Sequence, residues 1–270
     1  MYGTVQTHRI ASPRRIIVKA ALLSIANIAG EPPCLLIPHP SYIHTMAMLN
    51  ILTAIIAWLV ITTGGPLLLL PYDPKCILVL LLLFFNNLNI LIAFCEIILG
   101  LHIRTIKKDY KNNMEKYKGQ EWKCGLAFLT MPLPNPFDSK AWSKMWSTYA
   151  VYDPSYQNDE SFGFFIDVGN GWSTIPPCLL WNAAMAYPDH FSPLWVGCIG
   201  IASYWQVCYG TIIYLLSYMW NKRYVGKTML ENGAFVGFAN MLWFWFPILG
   251  IYASVKMLDD GDLRIFRSSS

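Results

Sequence analysis

The sequence contains little charge. Only 13% of its 270 residues are Asp, Glu, Lys or Arg, against about 25% in a typical soluble domain. None of the seven cysteines forms a CxxC pair, and the five histidines show no metal-ligand spacing. A P-loop, a dinucleotide fingerprint and a GxSxG motif are also absent. These absences exclude an ordinary soluble domain and argue against metal, thiol-redox, nucleotide-dependent and serine-nucleophile chemistry.

Long apolar runs occupy the chain instead, and 55% of the residues are hydrophobic. Five runs are long enough to cross a bilayer, which requires roughly 20 residues. They cover about residues 46–70, 76–102, 162–187, 193–220 and 234–255. Because a backbone in lipid must satisfy its own hydrogen bonds, we expect each run to be a helix. The sequence therefore predicts an all-α, polytopic membrane protein with a bundle of five transmembrane helices.

The regions between the runs complete the organisation. We predict an N-terminal basic or amphipathic segment (1–45), transmembrane helices one and two (46–103), a basic connector (104–145), helices three to five (146–257) and a C-terminal tail (258–270). The first segment fits an interfacial amphipathic helix or a cleaved presequence, and both alternatives stay open. In the connector we expect a polar helix over 105–117, and we expect Trp142 and Trp146 to lie at the lipid headgroups.

The basic residues give an orientation. The N-terminal segment, the connector and the loop at 221–233 together hold 16 of the 20 Lys and Arg residues. By the positive-inside rule these regions face the cytoplasm, so the N-terminus is predicted to be cytoplasmic. We interpret the basic connector as a solvated face and expect no nucleic-acid partner.

Two carboxylates are predicted to lie deep inside the spans, Glu96 in the second run and Asp167 in the third. A charge at that depth costs at least a few kcal/mol, so such residues usually face a protein interior or a cavity. Asn89 shares a helical face with Glu96, and Asn170 and Thr174 share one with Asp167. We expect Pro176 and Pro177 to disturb the third helix shortly afterwards.

The fifth run adds Asn240 and Trp243, three residues apart. The sequence thus predicts a central cavity lined by Glu96, Asp167, Asn170, Asn240 and Trp243. A neutral acid beside an ionised one would give a proton donor and a proton acceptor, and an indole face could stabilise a cation. This pocket suits an isomerase and an amine-binding receptor alike, while polar residues that only hold helices together are the structural alternative.

The region from residue 146 onward carries an ordered series of motifs. These are W-x-x-Y-A-x-x-D-x-x-Y (Trp146, Tyr149, Ala150, Asp153, Tyr156), the acid Asp167, Pro176, then Tyr209-Gly210 and Tyr214, and finally N-x-x-W-x-x-x-P (Asn240, Trp243, Pro247). In these motifs the chain resembles the EXPERA family, of which the emopamil-binding-protein type of sterol Δ8–Δ7 isomerase is a member.

The resemblance implies a five-helix membrane fold with a cavity for a sterol-like, lipophilic small molecule. It implies Glu96 and Asp167 as the catalytic, proton-handling pair. The candidate substrate-binding residues are Asn170, Asn240, Trp243, Trp172 and Tyr214. Because the chemistry is redox-neutral, we expect neither a metal nor another cofactor. We expect an integral protein of the endoplasmic reticulum, and a homodimer is compatible with these features.

Several positions depart from the isomerase pattern, among them Asn170, which falls where the family has a threonine. Ile92 stands where the isomerases have a histidine, Asp167 replaces a glutamate, and Thr211 replaces an aspartate. The sequence therefore favours an acid–base isomerase or cyclase acting on a sterol or terpenoid double bond. The alternative is a non-catalytic sterol- or amine-binding protein of the sigma-type-receptor kind.

Overall fold

A computed structural model describes residues 49–267, whose regular structure is helical. The longer helices are α1 (Ile51–Leu69), α2 (Ile77–Lys116), α3 (Glu121–Leu129), α4 (Ser139–Tyr152), α5 (Phe162–Ala186), α6 (Pro193–Trp220) and α7 (Asn232–Asp260). Both α1 and α7 contain a π-helical stretch, Val60–Gly64 and Asn232–Phe238. No strand occurs within 49–267, where an isolated bridge joins Asn50 and Pro132. The predicted segment 1–45 lies outside the described residues.

Four of these helices, α1, α2, α6 and α7, are long and apolar enough to cross a membrane. This confirms the predicted helical membrane protein. The third predicted span also forms a helix, α5, at almost its predicted bounds. However, α5 carries Asp167, Asn170 and Asn182 and is not among the four. The count of five spans is therefore not confirmed.

Helix α2 consists of a membrane part and a polar part. The backbone leaves helical geometry at His102 (φ −117°, ψ 16°), close to the predicted end of the apolar run. The imidazole Nε2 of His102 lies 3.0 Å from the Ser139 hydroxyl on α4. Beyond this kink the chain stays helical to Lys116, as predicted for the polar stretch over 105–117.

Pro176 and Pro177 do not interrupt α5, which continues to Ala186, so the predicted disturbance is limited to the backbone carbonyls that the prolines leave without a donor. Each proline removes one backbone N–H donor. Since the two prolines are adjacent, the carbonyls they release belong to the neighbours Trp172 and Ser173, and the remaining turns keep their hydrogen bonds.

Helix α5 packs directly on the backbone of α2. A Cβ atom at Gly171 would lie 2.8 Å from the Ile97 nitrogen, 2.9 Å from the Ala93 carbonyl oxygen and 3.0 Å from the Glu96 Cβ. Only glycine fits at such a distance, so the absence of a side chain sets the separation of the two helices at the level of Glu96. Helix α7 packs mainly on α6.

A second group of polar residues, here called the asparagine network, ties α1, α2, α5 and α6 together. Asn182 Nδ2 donates to Asn87 Oδ1 (3.0 Å) and Asn182 Oδ1 accepts from Asn86 Nδ2 (3.0 Å). The Tyr204 hydroxyl donates to Asn86 Oδ1 (2.8 Å), and Asn87 Nδ2 donates to the Thr62 carbonyl (2.8 Å). These side-chain amides satisfy one another inside the helix packing.

Two tryptophans of the connector, predicted to lie at the lipid headgroups, are packed inside the protein instead. Trp142 and Trp146 on α4 are buried and donate their indole N–H groups to the carbonyls of Pro136 and Cys95. Their apolar rings fill the contact between α4 and α2, which the local pattern of Trp and Lys could not reveal. Trp122 and Phe137 are exposed in the connector instead.

Candidate functional site

A cavity of about 220 Å³ lies among α2, α4, α5, α6 and α7. Its polar and aromatic lining comprises Asn89, Glu96, Trp146, Tyr149, Tyr156, Asp167, Asn170, Thr174, Thr211, Tyr214, Asn240 and Trp243. Its apolar lining includes Ile92, Met145, Ile166 and Val207. The cavity thus combines an apolar wall with a set of convergent polar groups, as ligand sites do.

The structure brings most of the predicted site residues together. Both acids line this cavity, and so do Asn170, Asn240, Trp243 and Tyr214. Trp172 does not: its side chain is 65% exposed on the outside of the bundle. It follows Asp167 by five positions, and at about 3.6 residues per turn this places it well around the helix from the acid.

The Glu96 carboxyl is buried and free of hydrogen bonds. The residue is only 8% exposed, and within residues 49–267 no group donates a hydrogen bond to its oxygens. Its strongest electrostatic neighbour is Asp167, across the cavity. Because Glu96 lines the cavity, its carboxyl can interact with a molecule bound there.

Asp167 has a different environment. Tyr156 lines the cavity together with Asp167, and the negative charge of Asp153 also acts on the Asp167 carboxyl. Asp167 is partly exposed, whereas Glu96 is buried. Two carboxyls in such unequal surroundings hold a proton with unequal strength, which suits a donor and an acceptor.

A chain of hydrogen bonds joins three of the lining residues. Asn240 Nδ2 donates to the Tyr149 hydroxyl (3.1 Å), and the Tyr149 and Tyr214 hydroxyls lie 3.1 Å apart. Asn240 Nδ2 also donates to the Val236 carbonyl in the π-helical stretch (2.7 Å). The amide and both phenols are therefore held in place at the cavity surface.

Two further lining groups are held by hydrogen bonds between helices. The Trp243 indole N–H donates to Asn89 Oδ1 on α2 (2.9 Å). Asn170 Oδ1 accepts from Gln206 Nε2 on α6 (2.7 Å). The sequence gave no indication of Gln206, because its contact with Asn170 depends on how α5 and α6 meet.

Three aromatic residues of the site were not predicted as site residues. Trp146, Tyr149 and Tyr156 all line the cavity, and the Trp146 and Tyr156 rings stack at a centroid distance of 5.1 Å. They belong to the W-x-x-Y-A-x-x-D-x-x-Y motif, so the signal that could have found them lay in the sequence. Because Trp146 was expected to lie among the lipid headgroups, it was not predicted to line the cavity.

Two acidic side chains line the cavity, and its described lining contains no basic side chain. Among its described lining residues none is Lys, Arg or His. A cation, or a substrate that develops positive charge, would therefore meet carboxylates and aromatic rings without a competing positive group. Residues 49–267 contain no group of three or more His, Cys, Asp or Glu side chains suited to a metal ion.

Comparison with family models, with curated proteins and with solved structures finds no match for this chain.

Proposed function

We propose that this protein is a membrane-embedded acid–base isomerase or cyclase that acts on a double bond of a sterol or terpenoid. One observation carries the proposal: Glu96 and Asp167, from two different helices, line one cavity that has no basic side chain among its described lining residues. The resemblance to the EXPERA family, which rests on sequence motifs, supports the same chemistry.

The reaction needs only proton movements. One carboxyl is neutral and donates its proton to a carbon of the double bond, which leaves a tertiary cation on the neighbouring carbon. The other carboxyl is ionised and takes a proton from the next carbon, so the double bond shifts and no electrons are lost. Proton transfer between Glu96 and Asp167, directly or through solvent, restores the starting state.

The other residues position the substrate and protect the cation. The faces of Trp243 and Trp146 stabilise positive charge. Asn170 and Asn240 hold a polar group of the substrate, and the phenols of Tyr149 and Tyr214 extend that hydrogen-bonding surface. We further propose that α5 is a fifth span. We also propose that the protein resides in the endoplasmic reticulum with its N-terminus in the cytoplasm.

Turnover in deuterated water tests this proposal. Purified full-length protein is incubated with sterols and terpenoid precursors, and label in each recovered product is read by mass spectrometry. We expect label on a product carbon with wild type and a loss of at least a hundredfold in Asp167→Asn and Glu96→Gln. Asp159→Asn removes an exposed carboxylate outside the cavity and should keep wild-type turnover.

A normal rate in both cavity variants would overturn the catalytic roles. Thermal unfolding of each variant must remain close to that of wild type, since a loss of folding would also abolish turnover.

One observation favours a second function. Ile92, which stands where the isomerases have a histidine, lines the cavity beside Glu96. An apolar side chain there removes a proton-handling group and leaves a site that binds a sterol or amine without converting it. This alternative predicts a higher melting temperature with ligand and no labelled product from any compound.

A further inference from the structure

The start of α1 is joined to the segment that follows α3. The Ile51 amide donates to the Met131 carbonyl, and the Leu133 amide donates to the Leu49 carbonyl. Phe128 of α3 packs in the same apolar cluster as Ile51. Because α1 is one of the four helices able to cross a membrane, these contacts hold α3 beside the end of a membrane span.

Helix α3 turns an apolar and basic face away from the protein. Cys124 and Phe128 are buried, whereas Trp122 is 50% exposed and Leu126 is 53% exposed. Because successive residues of an α-helix are turned by about 100°, Trp122, Lys123 and Leu126 lie together on the side opposite to the buried residues. A tryptophan, a leucine and a lysine on one exposed face are typical of a helix that lies among lipid headgroups.

A further apolar side chain projects from the loop beyond α3. Phe137 is 83% exposed. Its backbone is held in place, because the Phe137 amide donates to Asn135 Oδ1 (3.0 Å) and the buried Trp142 indole N–H donates to the Pro136 carbonyl (2.8 Å). The segment that adjoins the end of α1 thus exposes several large apolar side chains, which marks a contact with a membrane or a partner.

The connector over 104–145 also carries an excess of positive charge. It holds nine Lys and Arg residues but four Asp and Glu residues, an excess of five. Within residues 49–267, only Lys107 of these nine forms an ion pair, with Asp159. Glu121 and Asp138 each accept a hydrogen bond from a backbone N–H instead. The exposed lysines closest in sequence to the apolar residues are Lys118, Lys123 and Lys140.

These features favour a bilayer surface over another protein. Helix α1 exposes Leu52 (43%) and Ile56 (52%) in its first two turns, so lipid contact begins at the end of α1 to which α3 is joined. A second copy of this chain, packed through the same face, would bring two basic surfaces together. An anionic lipid surface accepts the apolar side chains and pairs with the lysines at the same time.

We propose that α3 and the loop 132–137 form a membrane-surface contact. It inserts Trp122, Leu126 and Phe137 among the lipid headgroups and binds anionic lipid through the lysines beside them. This inference goes beyond the proposed function and holds whether or not the cavity catalyses a reaction. The proposed cytoplasmic orientation of this side would supply such lipids, since the cytoplasmic leaflet carries the anionic ones.

Quenching of a site-specific fluorophore by labelled lipids tests the contact. In the full-length protein, Cys34 and the exposed Cys198 are replaced by serine. Leu126→Cys or Phe137→Cys is then labelled with the fluorophore NBD, and each protein is placed in nanodiscs. Glu115→Cys, at an exposed position in the polar part of α2, is the matched control.

We expect phosphatidylcholine with a doxyl group close to the headgroup to quench NBD at positions 126 and 137 and to quench it little at position 115. Doxyl-labelled phosphatidylserine should act with about fivefold higher apparent affinity, the effect of one lysine near an anionic surface. Lys123→Gln combined with Lys140→Gln should abolish this preference and leave quenching by phosphatidylcholine unchanged.

Three results would overturn the proposal. Quenching at positions 126 and 137 by aqueous iodide but by no lipid would place this face in solvent. Protection from both quenchers, with Leu126→Cys copies that crosslink to each other, would assign the face to a second copy of the chain. Equal quenching by phosphatidylserine and phosphatidylcholine would remove the anionic specificity.

Discussion

Helix α2 contributes polar side chains both to the asparagine network and to the cavity, and their hydrogen bonding differs between the two regions. On α2, the amides of Asn86 and Asn87 are paired with Asn182 on α5. Two to three turns further along the same helix, Glu96 has no hydrogen-bond partner among the described residues. Polar residues in apolar helices either join helices or serve a ligand; on α2 the paired amides of Asn86 and Asn87 fit the first use, and the Glu96 carboxyl, which lines the cavity, fits the second.

The largest effect is expected from a substitution that breaks the contact between α5 and α2, the two helices that carry Asp167 and Glu96. Gly171→Val puts side-chain atoms against the α2 backbone, where even a Cβ would lie 2.8 Å from the Ile97 nitrogen. We expect a loss of about 3 kcal/mol of unfolding free energy and loss of ligand binding. Gly169→Val is the matched control, since nothing lies within 4 Å of a Cβ there.

Thermal or denaturant unfolding in detergent measures both glycine variants. Equal stability of the two would show that the close approach of α5 to α2 does not set the helix separation.

The second prediction sharpens the contrast between paired and unpaired groups. Asn182→Ala removes two side-chain hydrogen bonds of the asparagine network, which we expect to cost about 2 kcal/mol at roughly 1 kcal/mol per bond in a membrane protein. Glu96→Gln removes no hydrogen bond and should change the unfolding free energy by less than about 1 kcal/mol. Unfolding curves of both variants under one condition give the comparison.

An Asn182→Ala protein as stable as wild type, or a Glu96→Gln protein that is the less stable of the two, would remove the distinction between a packing network and a binding site.

The smallest expected effect lies outside both regions. The Lys107 ammonium donates to Asp159 (2.6 Å), and this hydrogen bond lowers the pKa of the Asp159 carboxyl. The pair therefore stabilises the fold above the unfolded-state pKa of about 3.9 and loses that contribution as the pH falls through the lower folded-state pKa. Asp159→Asn should melt slightly below wild type at neutral pH, and the difference should vanish at strongly acidic pH.

A difference between Asp159→Asn and wild type that persists unchanged in acid would assign the effect to something other than this ion pair. Because both partners are partly exposed, the effect is expected to be the smallest of the three.

Hydropathy predicted where the five apolar helices lie, because a run of apolar residues in lipid must satisfy its own backbone hydrogen bonds, but it did not predict α3 and α4. The face shared by Asp167, Asn170 and Thr174 also followed from helical spacing, and all three line the cavity. The same spacing could have excluded Trp172, which lies on the outside.

Contacts between distant segments could not be derived in this way. The burial of Trp146 depends on the Cys95 carbonyl of another helix, and the ion pair of Asp153 depends on Arg223 in a later loop. Periodicity identifies a face of a helix but not the element that covers it. The Ser155 hydroxyl, which is buried without a hydrogen-bond partner among residues 49–267, likewise becomes recognisable only when the surrounding segments are known.

The backbone pairing at the start of α1 has a consequence for biosynthesis. The Ile51 amide donates to the Met131 carbonyl (3.2 Å) and the Leu133 amide to the Leu49 carbonyl (2.7 Å). A ribosome delivers Leu49 about eighty residues before Leu133, so the first apolar helix leaves the exit tunnel long before its partner exists. The hydrogen bonds that join the start of α1 to residues 131–133 can therefore form only late in translation, after α2 and α3 have been made.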